Sequence, residues 1–325
     1  MLKNEFEKKD AYYLFTISLA VILLISLLTL VLAQQLKIYD DEGNLNELWF
    51  WIISIVNQLS LFFCVFVYSK INKIDYLKAT RIKAEINPMT LFFAVIVGVG
   101  IFITVNPIQL WILQALSKIG YTVNSSVPIG GGVTNIVLLI FVVVILPAFC
   151  EEQLFRGVIT NGLQKTGLVG ASLISGALFM LYHVNPAQTV HQFIMGVALA
   201  YIALKSGSIV PSMIVHMLNN LIVVIIATST AEGAGDAFVL NYWYVFLFGG
   251  LIITLLGLYG FMQKTKQTKI EKQESAQTKQ QDTLVLNTAR NKRSTKKPVS
   301  EIMVLATGVA ICLIFWISNL MSGLN

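Results

Sequence analysis

The sequence predicts an all-α fold: a polytopic transmembrane helix bundle of about eight core spans plus one C-terminal span. Three observations carry this. First, hydrophobic residues make up 56% of the 325 residues and charged residues only 12%, about half the charged share of a soluble domain. The mean hydropathy is +0.73. A water-soluble chain of this length cannot hide so much apolar surface, whereas a bilayer accepts it. Second, the apolar residues fall into runs of about 20, the length that crosses a hydrocarbon core. Third, the charges between the runs alternate in character from one loop to the next.

Taken in order, the apolar runs cover 11–34, 47–69, 90–116, 134–162, 168–185, 188–205, 209–228, 240–262 and 301–322. The first, Ala11 to Ala33, is too long for a signal-peptide core and reads as an uncleaved span. Aromatic residues sit near several ends, among them Tyr12, Tyr13, Trp49, Trp51, Tyr242 and Tyr244, as in an interfacial belt. Lys3, Lys8 and Lys9 precede the first span, and Asp40, Asp41 and Glu42 follow it. Lys70, Lys73, Lys78, Arg81 and Lys83 follow the second, and Lys118 alone marks the loop after the third. Arg156 and Lys165 precede the next hairpin, and Glu232 and Asp236 lie in the 229–239 loop. This alternation predicts an odd number of spans and a cytoplasmic N-terminus.

Residues 264–300 break the apolar pattern with a Lys/Arg-rich, Gln-, Thr- and Ser-rich stretch. It reads as a basic disordered cytoplasmic linker able to touch anionic lipid. The domain organisation expected is a transmembrane core over 1–263, the linker over 264–300, and an additional C-terminal helix over 301–325. The net charge of +6 is thus accounted for by loops and linker, and no nucleic-acid partner is expected. Cys64, Cys150 and Cys312 lie in or beside apolar runs and form no C-x-x-C, so they read as small buried hydrophobes.

Against this background the ionisable residues inside apolar runs stand out. One stretch reads Pro147-Ala148-Phe149-Cys150-Glu151-Glu152-Gln153-Leu154-Phe155-Arg156. As a solvated helix end it would hold Glu152 and Arg156 as an i,i+4 pair. Helix arithmetic points instead to depth. At 1.5 Å per residue Glu151 lies about 21 Å before Lys165, and His183 about 22 Å beyond Leu168. An antiparallel hairpin turning near 162–167 therefore brings both to one level. His191 returns to a similar level. It has no matched partner on its helix face, so it reads as a structural bystander. His216 and Asn220 are four apart and share a face. Intramembrane polar groups of this kind are expensive, and several on three helices imply a shared polar cavity.

The chemistry open to such a set is specific. A carboxylate in an apolar site can serve as general base, and a histidine can share that role or bind a metal. A second histidine and an asparagine can stabilise an oxyanion. One Glu and two His could equally hold zinc with a free position for water. There is no H-E-x-x-H, which excludes the ordinary zincin arrangement.

The set Glu151-Glu152-x-x-x-Arg156, Phe179-x-x-x-His183 and His216-x-x-x-Asn220, within 134–228, resembles the motifs of the CPBP family of intramembrane proteases. That family spans type II CAAX prenyl endopeptidases and bacterial bacteriocin-processing or immunity proteins. The resemblance implies an intramembrane endopeptidase in which Glu151 and His183 activate water. Glu152 and Arg156 would orient the carboxylate, and His216 and Asn220 would stabilise the oxyanion. Phe179 would pack beside His183. If zinc is the cofactor, Glu151, His183 and His216 are the ligands implied; a metal-independent glutamate mechanism is the other option. The partners implied are a membrane-associated peptide or protein and the lipid bilayer, in a bacterial cell membrane. Two other classes stay open: a non-proteolytic bacteriocin-immunity or partner-binding protein, and, ranked lowest because no inverted repeat is evident, an ion-coupled transporter.

Overall fold

The computed structural model describes residues 2–39, 45–122, 133–229, 234–281 and 299–324. Among these residues there are nine longer helices: α1 (Lys8–Leu32), α2 (Glu47–Ile71), α3 (Pro88–Lys118), α4 (Thr134–Thr166), α5 (Leu168–Tyr182), α6 (Thr189–Ser206), α7 (Val210–Ser229), α8 (Trp243–Gln281) and α9 (Val299–Gly323). They correspond one to one with the nine expected spans. Eight are long and apolar enough to cross a bilayer, and α5 is the shorter apolar helix. The protein is a polytopic all-α membrane bundle. The loop residues Asp40 to Glu42, the Gly130–Gly132 run and Glu232 lie outside the described residues. So does 282–298, most of the expected linker. The linker's first part continues α8 as helix to Gln281.

The helix starts follow from local chemistry. Glu7 and Asp10 form a reciprocal capping box for α1, satisfying backbone N–H groups that a helix start leaves unpaired. Asn46 caps α2 through Leu48 N, and Asn87 caps α3 with Pro88 at the first turn, where a missing N–H costs nothing. Gly167 opens α5 at φ 89°, a backbone conformation that a side chain disfavours.

Consecutive helices run up and down. Lys3 pairs with the 73–75 backbone, Arg81 with Gln164, and Ser208 with the Arg81 carbonyl, so the N-terminus and the turns after α2, α4 and α6 share one end. At the other end Thr122 N donates to Gly323 O, and Asn319 reaches Val184. The Lys and Arg residues that precede α1 or follow α2 thus gather at one end, as the charge pattern predicts. Leu24, Leu28, Leu30, Leu255 and Leu256 are exposed on the outside of the bundle, the inverse of a water-soluble surface.

Two features of this frame set the depth of the site. The helix α5 has 15 residues, a rise of about 22 Å, so its end at His183 stops short of a roughly 30 Å core. The helix α4 is not uniform. A π-helical segment, Ile140–Ile145, precedes Pro147, and a second, Gln153–Thr160, follows Glu152. Pro147 is thus accompanied by widened turns, which are frequent at functional sites. Glu151 and Glu152 lie on the α-helical piece between them. The cysteines are free, with Cys150 and Cys312 buried and Cys64 partly so.

Candidate active site

The two neighbouring glutamates have different surroundings. Glu152 is fully buried. Its Oε1 accepts from Arg156 Nη1 at 2.7 Å, one helical turn on, and from His216 Nδ1 on α7 at 3.0 Å. Arg156 is also fully buried. It donates from Nη2 to Gly196 O on α6 at 3.2 Å, and its guanidinium lies 4.4 Å from the centre of the Phe179 ring on α5. That carbonyl is within reach because α5 and α6 touch at two glycines: a Cβ at Gly196 would lie 2.9 Å from Gly176 Cα. One ion pair therefore ties together α4, α5, α6 and α7. Buried charges of this kind hold only when paired and hydrogen-bonded.

Glu151 is the open member. It is 9% exposed. Its Oε1 accepts from Gln58 Nε2 on α2 at 2.9 Å. Its Oε2 accepts no hydrogen bond and faces His216 Nε2 at 3.9 Å. That separation is too long for a direct bond and leaves the oxygen turned toward the imidazole.

Both imidazoles are fixed through Nδ1. In His216 that nitrogen meets Glu152 Oε1; in His183 it lies 2.8 Å from the Phe179 carbonyl. Carboxylate and carbonyl are both acceptors, so each Nδ1 carries the proton and each Nε2 is left to act. The Phe179 ring sits between them, 4.5 Å from the His183 ring and 5.9 Å from the His216 ring.

Asn220 has a structural task. Its Nδ2 donates to Val143 O at 3.2 Å. Val143 is four residues before Pro147, the carbonyl to which a proline cannot donate. Asn220 thus supports the irregular turn above the glutamates with one N–H and keeps a second. Asn219 donates to Asn220 Oδ1 at 3.2 Å. His191 packs edge-on to Phe102 at 6.4 Å and lies within electrostatic reach of His183 and His216.

Glu151, Glu152, Arg156, His183, His216 and Asn220 are therefore drawn into one region, with Phe179 as its apolar centre. Gln58 was not among the residues singled out from sequence. A glutamine inside an apolar span is itself the signal that marks it. The donor types suit zinc, since two histidines are held at Nδ1 with Nε2 free. Their placement does not: among the described residues no three His, Cys, Asp or Glu side chains are gathered closely enough to hold an ion.

Fold and site together define a multi-pass α-helical membrane protein with a buried carboxylate–imidazole centre. Residues 133–222 match the type II CAAX prenyl endopeptidase Rce1-like family. That stretch runs from the start of α4 into α7, and the match is in keeping with the CPBP resemblance. All six site residues fall inside it. No curated protein and no solved structure matches the chain.

Proposed function

We propose that the protein is an intramembrane endopeptidase that hydrolyses a peptide bond in a membrane-associated peptide or protein, using water activated by Glu151 and His183. The observation that carries this reading is the contrast between the two glutamates. Glu152 is fully buried, and its Oε1 is shared between Arg156 and His216, while Glu151 is steadied by Gln58 through one oxygen and turns the other toward His216 Nε2 at 3.9 Å.

Water placed beside Glu151 Oε2 and His183 Nε2 gives up a proton to this pair as its oxygen attacks the carbonyl carbon. The negative charge that develops on the carbonyl oxygen is met by His216 and by the second N–H of Asn220. The proton then passes to the departing nitrogen, the C–N bond breaks, and a new carboxylate and a new amine leave. Glu152 and Arg156 position His216 and the α4 backbone. The apolar surroundings strengthen each of these electrostatic contacts. A cell membrane with the basic end toward the cytoplasm is the setting inferred, following the positive-inside rule.

The experiment is a comparison of Glu151→Gln with the parent protein at equal membrane levels. Loss of cleavage products with retained expression supports the peptidase. A second reading, an immunity or partner-binding protein in which the cluster only ties helices together, is favoured by the mutually hydrogen-bonded Glu152–Arg156–His216 group. Full protection or partner binding by Glu151→Gln would support it.

A further inference from the structure

The ninth helix lies outside the residues that match the family domain, yet it ends beside His183. A cavity of about 300 Å³ opens there, lined by Tyr121, Thr122, His183, Asn185, Asn319 and Ser322 among others. Its walls come from the end of α3, the α5–α6 turn and the last turn of α9. Apart from the His183 ring, these lining groups are neutral hydrogen-bonding side chains.

The α5–α6 turn itself has an unusual backbone. Val184, the residue after His183, has φ 41°, a left-handed conformation that a β-branched residue strongly disfavours. Such a conformation persists only where the surroundings impose it. Three side chains do so, and all belong to or reach from helices outside the hairpin. Asn319 on α9 donates to Val184 O at 2.7 Å, Gln109 on α3 donates to Ala187 O, and Trp316 on α9 donates to Thr189 Oγ1 at 2.9 Å. Of the three groups held, the Val184 carbonyl bound by Asn319 is the nearest to the imidazole, one residue along the chain from His183.

We propose that α9 is a working wall of the active site, and that Asn319 is a positioning residue. Its side-chain amide holds the Val184 carbonyl, and through it the His183 ring, at the mouth by which an uncharged, hydrogen-bonding stretch of peptide backbone reaches the centre. The proposal rests on the peptidase reading for its catalytic meaning, but not for its geometry.

The test uses the full-length protein with isotopically labelled histidine. Three histidines in the chain give three imidazole signals, assigned by single His→Gln variants. Asn319→Ala and Asn319→Asp, the latter matching the shape without the donor, are expected to shift or broaden the His183 signal and leave that of His216 in place. Asn319→Gln keeps a donor and is expected to restore the parental signal in large part. Ile314→Ala, on an outward face of α9 at 65% exposure, is expected to change nothing. On a cleaved peptide the Ala and Asp variants should lose kcat by about tenfold, the worth of one hydrogen bond, with KM less affected. An unchanged His183 signal in Asn319→Ala, or equal disturbance of His183 and His216, overturns the proposal, as does unaltered kcat in a protein whose parent cleaves. If the parent cleaves nothing, the peptidase reading falls and the imidazole spectra still decide whether Asn319 holds His183.

Discussion

Glu152 and Glu151 are adjacent in the chain, yet they anchor two different regions. Around Glu152 lies a tightly packed knot: Arg156, His216 and the Gly196 carbonyl are linked to one another by hydrogen bonds in deep burial. Around Glu151 lies an open half-site: one oxygen is held by Gln58, the other faces His216 Nε2 across 3.9 Å, and His183 stands at a polar cavity. The difference teaches that intramembrane charge serves two ends here. The knot stabilises a helix arrangement, and the half-site leaves a base with something to do. Burial makes either costly alone, so the knot's packing is what supports the half-site.

Substitutions separate the two regions. The largest effect is expected from Glu151→Ala or Glu151→Gln. Removing a general base lowers cleavage by about 10²–10⁴-fold, while the detergent-solubilised protein unfolds at nearly the parental temperature. Glu152→Ala and Arg156→Ala should behave differently. Each strands a buried partner and costs about 3–5 kcal/mol of stability, read as a large fall in thermal midpoint and in membrane yield, with activity lost as a consequence. If Glu152→Ala were as stable as the parent, the knot would not be what holds these helices.

Gln58→Leu removes a hydrogen bond to an ionised group, worth about 1.5–3 kcal/mol. It should therefore reduce kcat by roughly 10- to 100-fold without the yield loss of the knot variants. A chelator is expected to leave cleavage little changed, because the three candidate ligands are not gathered around one point; inhibition reversed by added zinc would redraw the half-site. The smallest effect lies at the basic end. Partial burial works against the Glu7 carboxylate, but Lys9, 3.2 Å away, outweighs it and holds that group below the usual carboxylate range. A depressed carboxylate contributes stability that is present at neutral pH and lost as pH falls through its folded value. With half its side chain exposed, screening limits this to no more than about 0.5 kcal/mol. Glu7→Gln should barely change the thermal midpoint at neutral pH and erase the small difference below the carboxylate range.

Sequence made the bundle legible because length and hydropathy are nearly sufficient in a membrane, where every backbone group must be satisfied within its own helix. The nine runs and the nine helices agree for that reason. The motif residues were legible too, since each is a polar group in an apolar run. Other features were not. The π-helical turns flanking Glu151 and Glu152 leave no composition mark beyond Pro147, and the first of them is met by Asn220 reaching the Val143 carbonyl from another helix. Gln58, Gln109 and Asn319 lie in helices whose apolar character drowned single amides. The role of α9 at the His183 turn is a tertiary contact between residues 135 positions apart, which no local pattern encodes.

The most direct test of the central claim compares membrane peptides from cells carrying the parent protein with those from cells carrying Glu151→Gln at equal abundance. The account predicts that a defined set of fragments, each ending at a newly formed carboxylate, disappears with Glu151→Gln while its uncut precursors accumulate. Identical peptide sets from the two proteins would contradict it.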